Sequence, residues 1–98
     1  MKAPPPVTVQ KAVQIAKDFL REISFIDRVV VEKATASFFD GDEIFARHTR
    51  EFPDVKIHRL NDSWHVDFPL KVPLPEVDLD SRYVIVNAIT GEAKMGLA

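Results

Sequence analysis

Ninety-eight residues, 46% of them hydrophobic and 29% charged, make one domain able to bury a core without a metal or a disulfide. The absence of cysteine excludes disulfides and thiol chemistry, and a net charge of −2 argues against a nucleic-acid binder, which needs a basic excess to meet phosphates. No run approaches the ~20 apolar residues of a membrane span.

The opening "MKAPPPVT" has no apolar stretch of the kind a signal peptide needs. A complete chain is therefore expected in the cytoplasm. A domain cut from a longer exported protein, with "APPP" as the end of a linker, would be extracytoplasmic. Residues 1–7, with Pro4, Pro5 and Pro6, read as an extended proline-rich lead-in, and 8–98 as a single α+β domain.

Thr8 stands where a helix N-cap belongs. From there Val9, Ala12, Val13, Ala16, Phe19, Leu20 and Ile23 fall at the spacing of one helical face, and Lys11, Gln14, Lys17, Asp18, Arg21 and Glu22 fall on the other. The spacing predicts a helix over 9–23. A helix of that length is marginal alone, so its apolar stripe must lie on something flat.

"RVVVEKATASFF", Arg28 to Phe39, is β-branched and aromatic and predicts a long strand ended by an Asp40-Gly41 turn. Residues 42–52 read two ways. Asp42 can cap a short helix at 43–52, with Ile44, Phe45, His48 and Phe52 on one face and Pro53 stopping it, which is the favoured reading. The other is a strand returning from the Asp40-Gly41 turn.

With Asn61-Asp62 as a two-residue turn, a hairpin follows. It opposes His58 to His65, Ile57 to Val66, Lys56 to Asp67 and Val55 to Phe68, and it lays the Arg59 stem over Trp64. One side is then Val55, Ile57, Trp64, Val66 and Phe68, and the other Lys56, His58, His65 and Asp67. Pro69, Pro73 and Pro75 predict a loop or edge segment over 69–80. "RYVIVNA" predicts a strand, and Thr90-Gly91 a turn into a short last strand. The expected core is Val9, Val13, Ala16, Phe19, Leu20, Ile57, Trp64, Val66, Phe68, Val84 and Val86.

Few constellations carry chemistry. Two facing imidazoles, His58 and His65, with the Asp67 carboxylate beside them, have the donor types of a divalent transition-metal site. A wet sheet face holds the same residues with no metal, and that is the preferred reading, so no metal or cofactor is expected. Asp40, Asp42 and Glu43, and again Glu76, Asp78 and Asp80, group carboxylates without the loop length or spacing of a calcium site. The basic residues at 47–59 (Arg47, Arg50, Lys56, Arg59) balance that second acidic run. His48 reads as a packing residue on the helix face. No serine sits in a nucleophile elbow and no Gly-rich phosphate loop exists, so no enzyme is expected. Trp64 and Tyr83 could line a cup beneath the helix, although such aromatics are more often core.

The stretches "VQKAVQIAKDFL", "SWHVDFP" and "SRYVIVNAITGEAKM" resemble the PepSY-like pattern. In that pattern an amphipathic helix precedes a Trp-x-Val strand, a Tyr-x-Val-x-Val strand and a Thr-Gly-Glu turn. The order is also similar to that of NTF2-like immunity proteins of toxin systems, without the paired glycines expected between their last long strands. The matching positions, Trp64, Val66, Tyr83, Thr90 and Gly91, are core and turn residues. The resemblance implies a non-catalytic domain that binds or restrains another protein.

The fold expected is therefore α+β: an N-terminal amphipathic helix on an antiparallel sheet of about four strands, with a second short helix at 43–52. The function expected is a small non-enzymatic interaction or regulatory module, inhibitory in one version. Its partner is a protein, met through a sheet edge or the 69–80 loop. The alternatives are a small-ligand cup of NTF2 or cystatin type and a toxin-immunity protein.

Overall fold

A computed structural model describes residues 4–74 and 79–96, with the backbone alone at 73, 74, 79 and 80. Helix α1 spans Val9–Glu22 and is capped by Thr8, whose hydroxyl accepts from the Lys11 N–H at 3.2 Å. Ala12, Ala16 and Leu20 form its buried stripe, flanked by half-buried Val13, Ile15 and Phe19. The two alanines let the helix backbone sit close to the sheet, and Leu20 fills the far end. Val9, expected in the core, is 38% exposed. A helical side chain lies over the turn before it, and a first-turn residue has none.

The helix ends in a Schellman motif. Ser24 takes a left-handed conformation at φ 59°, its N–H donates to the Arg21 carbonyl at 3.1 Å, and the Phe25 N–H donates to the Leu20 carbonyl at 2.8 Å. This turn fixes where Phe25 leaves the helix.

Four strands follow: β1 (Thr35–Phe39), β2 (Ser63–Leu74), β3 (Leu79–Asn87) and β4 (Ala93–Met95). They form one antiparallel sheet in the order β1-β2-β3-β4, with helix α2 (Gly41–Glu51) between β1 and β2 in sequence. The α+β arrangement expected from the sequence is the one found. Trp64, Val66 and Phe68 alternate onto the face that α1 covers, opposite Val84 and Val86. The space between α1 and this face is filled: Val66, Phe68, Val84 and Val86 are fully buried beneath Ala12, Ala16 and Leu20.

Val7, at the end of the lead-in, is buried. Its N–H donates to the Ala88 carbonyl at 3.0 Å, and its carbonyl accepts from the Trp64 indole Nε1 at 2.9 Å.

Several expectations are corrected. The long strand over 28–39 is only β1 at its end, and 26–28 and 31–33 are 3-10 turns. Strand β1 ends opposite Asp67, two residues before Pro69, which has no N–H to give a neighbour. Past that point Val30 N–H donates to the Pro69 carbonyl, and Val29 forms one bridge with Leu70 and buries its side chain.

The hairpin around Asn61-Asp62 does not form. Over Ser63–Asp67 strand β2 is paired to β1 on one side and β3 on the other, so no edge is left for 55–60. Asp62 has a different task. Its carboxylate accepts from the Gly41 N–H at 2.9 Å and its carbonyl from the Ala88 N–H at 2.9 Å. Ile57 consequently lies half-buried in the 52–62 connection, outside the core, and Val55 is exposed. Arg59 stacks on Phe45, not Trp64, and pairs with Asp42 at 3.1 Å.

The 69–80 segment is strand over 69–74 and 79–80. Residues 75–78 lie outside the described residues. The prolines are accommodated by a register irregularity between Pro69 and Leu74.

The ambiguous 42–52 piece is helical, from Gly41 to Glu51. Its cap is Asp40 and not Asp42: the Asp40 carboxylate accepts from the Asp42 and Glu43 N–H groups at 3.0 and 3.2 Å. Gly41 is required there because a Cβ would run into the Leu60 carbonyl.

Candidate functional site

Two concave regions stand out among the described residues, on opposite faces of the sheet. The first lies on the face away from α1. His65, near the start of β2 and paired on both sides, is flanked diagonally by Phe39 of β1 and Tyr83 of β3. The His65–Phe39 ring centroids are 3.9 Å apart, and the His65–Tyr83 rings stack at 5.3 Å with planes 13° apart. Around this stack opens a cavity of about 500 Å³, with Phe39, His65 and Ile85 on the strands and Ile44, Arg59 and Leu60 from α2 and the connection after it. Burial lowers the His65 pKa below its ordinary 6.5, because desolvation penalises the charged ring.

The second region is built by chain topology. Strand β1 leaves β2 at Asp67, and β4 leaves β3 at Val84 with one more hydrogen bond from Gly96 N–H to the Tyr83 carbonyl. Beyond these points β2 and β3 run on as a two-stranded arm, 70–74 and 79–82, bridged at its base by Val29 on Leu70, with the 26–28 and 31–33 turns packed against β2. Val72 on this arm is 75% exposed.

At the arm's base is a second cavity of about 500 Å³, lined by Phe25, Asp27, Arg28, Leu70, Lys71, Val72 and Arg82. The register puts Arg82 opposite Phe68, on the α1 face just past the end of the helix. The Phe25 ring carries the Arg28 guanidinium at 5.6 Å and that of Arg82 at 6.0 Å. The Arg82 Nε is buried and has no hydrogen-bond acceptor.

The residues singled out from sequence are not gathered together. His65 and Asp67 share a face of β2, as alternate residues must. His58 lies in the 52–62 connection, opposed to nothing on β2, where His65 stands opposite Ser37 and Ile85. No three His, Asp or Glu side chains among the described residues cluster as metal ligands would. The Asp40 carboxylate caps α2 and that of Asp42 pairs with Arg59, so the first acidic group is divided between two tasks. His48 is half-buried on α2 beside Phe52, ring centroids 5.2 Å apart, with its Nδ1 buried and unpartnered.

Sequence reasoning missed Phe25, Arg28 and Arg82. Each reads as ordinary in its own segment. Only the Schellman turn and the length of β3 bring them together. No helix among the described residues is long and apolar enough to cross a membrane. The chain matches no family model, no curated protein and no solved structure.

Proposed function

We propose that this domain is a non-enzymatic module that binds another protein through the β2–β3 arm. The observation that supports this reading is the arm itself. It is a two-stranded extension, irregular in register between Pro69 and Leu74 and bridged at its base by Val29, with an exposed apolar residue, Val72, next to a cleft with unpaired polar groups. Open strand edges are sites where an extended polypeptide adds by main-chain hydrogen bonds. The PepSY-like order of helix, Trp-x-Val strand and Thr-Gly turn agrees with a restraining or inhibitory role, as does the toxin-neutralising role of the immunity proteins it resembles.

The test is affinity capture with three forms of the protein: wild type, Val72→Asp on the arm, and Thr49→Ala on α2. The reading expects a protein retained by wild type and Thr49→Ala and lost by Val72→Asp. Equal retention by all three counts against the arm.

A second reading has its own observation. The cavity around His65 is large enough for a small ligand and mixes ring faces with polar groups. A cup of this kind would lie on the open face of the sheet, because the space beneath α1 is filled. Saturable ligand-induced shifts of the His65 and Ile85 resonances in a fragment screen would favour it. Their absence across a broad fragment set would remove it.

A further inference from the structure

We infer that the cleft at the base of the arm is a carboxylate seat, and that the segment the arm takes up is an acidic one. This rests on the reading of the arm as a protein-binding edge and adds the chemistry of the partner.

Three cations, Arg28, Lys71 and Arg82, line the cleft against one carboxylate, Asp27. The chain as a whole carries −2, so this local excess is not a reflection of a basic protein. None of the three cations is paired with a carboxylate among the described residues. Both guanidiniums are instead placed over the Phe25 ring. Stacking of that kind satisfies the flat face of a guanidinium and leaves its N–H edge free for a planar acceptor such as a carboxylate.

The Arg82 Nε supplies the second observation. A buried donor with no acceptor is rare in folded proteins and is a marker of something missing. The Arg82 side chain lines the cleft, and a shift of its guanidinium would bring the Nε to an incoming carboxylate oxygen.

The cleft also adjoins the flank of β2 beyond the Val29 bridge, since Lys71 and Val72 belong to both. An added strand directs every second side chain to the same face of the sheet, so an alternating apolar and acidic segment would put its acids on the side where Arg82 stands. Val72 offers that segment an apolar contact.

The test uses the full chain and a fluorescent, end-blocked decapeptide of alternating valine and glutamate, with the valine–glutamine peptide as the neutral control and inorganic phosphate as the small-anion control. The glutamate peptide is expected to bind at least ~10-fold more tightly than the glutamine peptide, and Arg82→Gln and Arg28→Gln each to weaken it ~5-fold, the scale of one solvent-accessible ion pair. Raising salt should weaken it further. Arg28 is exposed, so Arg28→Gln keeps the test alive if Arg82→Gln fails to fold.

Equal binding of both peptides, unchanged by either substitution, overturns the carboxylate seat and leaves the arm as a binding edge without charge preference. Saturable binding of phosphate with no binding of either peptide overturns it in favour of a small-anion pocket. Binding of none of the three probes overturns it as well, and the arm reading is then judged by the capture experiment alone.

Discussion

The Trp64 indole Nε1 donates a 2.9 Å hydrogen bond to the carbonyl of Val7, across 57 residues of sequence. Together with the Val7 N–H on the Ala88 carbonyl, it ties the chain entering α1 to β2 and to the residue that follows β3. Trp64→Phe keeps most of the apolar contact but removes the donor, leaving the Val7 carbonyl unsatisfied in a part-buried site. The expected cost is about 1–2 kcal/mol, read from urea denaturation with an unchanged slope. An effect within error would mean that the bond contributes nothing net.

Gly41 is a second point of closure. Its N–H is held by Asp62 and its Cα faces the Leu60 backbone. Gly41→Ala forces backbone apart, since the nearest atoms are main chain and cannot rotate away. A loss of at least ~2 kcal/mol is expected, in the range of overpacking penalties. A neutral outcome would show that the 52–62 connection yields easily.

Ser24 runs the other way. A serine at φ 59° pays for a left-handed conformation that glycine adopts freely. Ser24→Gly should raise stability by up to about 1 kcal/mol, the unfolded-state entropy of glycine offsetting part of the gain. A loss would mean that the serine makes a compensating contact.

His65 gives a pH dependence with a definite sign. Its folded-state pKa lies below the ordinary 6.5, so the unfolded chain takes up the proton first as pH falls. Stability attributable to this group is intact above ~6.5 and declines as pH drops from there toward the folded value. His65→Gln should flatten that part of the stability profile, and the His65 ring should titrate by NMR with a midpoint below 6.5. A midpoint at or above 6.5 would contradict the burial-driven shift.

The separation of His58 from the β2 face makes a further prediction. Zinc titration followed at the two imidazoles should show no shared saturation at one equivalent, with any binding weaker than ~100 µM. Joint saturation would mean that the 52–62 connection folds over His65 when metal is present.

Much of this fold was legible because periodicity speaks for itself. The Ala12–Ala16–Leu20 stripe, the Thr8 cap and the alternation Trp64–Val66–Phe68 needed no tertiary information. The hairpin reading failed for a physical reason: Asn61-Asp62 is good turn chemistry, but an antiparallel strand has only two edges, and β1 and β3 took both. The 28–34 stretch failed for another reason: its strand formers run past the end of the β1 pairing, where β2 presents Pro69.

The arm was half visible. Its prolines signalled an edge, but read locally they signalled a loop. The cleft was invisible because Phe25, Arg28 and Arg82 meet only through a helix-ending turn and a strand, β3, that extends past the end of β4.

The most direct test of the arm as the binding element is amide hydrogen exchange, measured on the domain alone and with the protein it captures. The account predicts new protection in peptides spanning 70–82, with those covering 39–44 and 59–65 unchanged. Protection confined to 39–44 and 59–65 would contradict it, and would move the site to the cavity around His65 on the opposite face of the sheet.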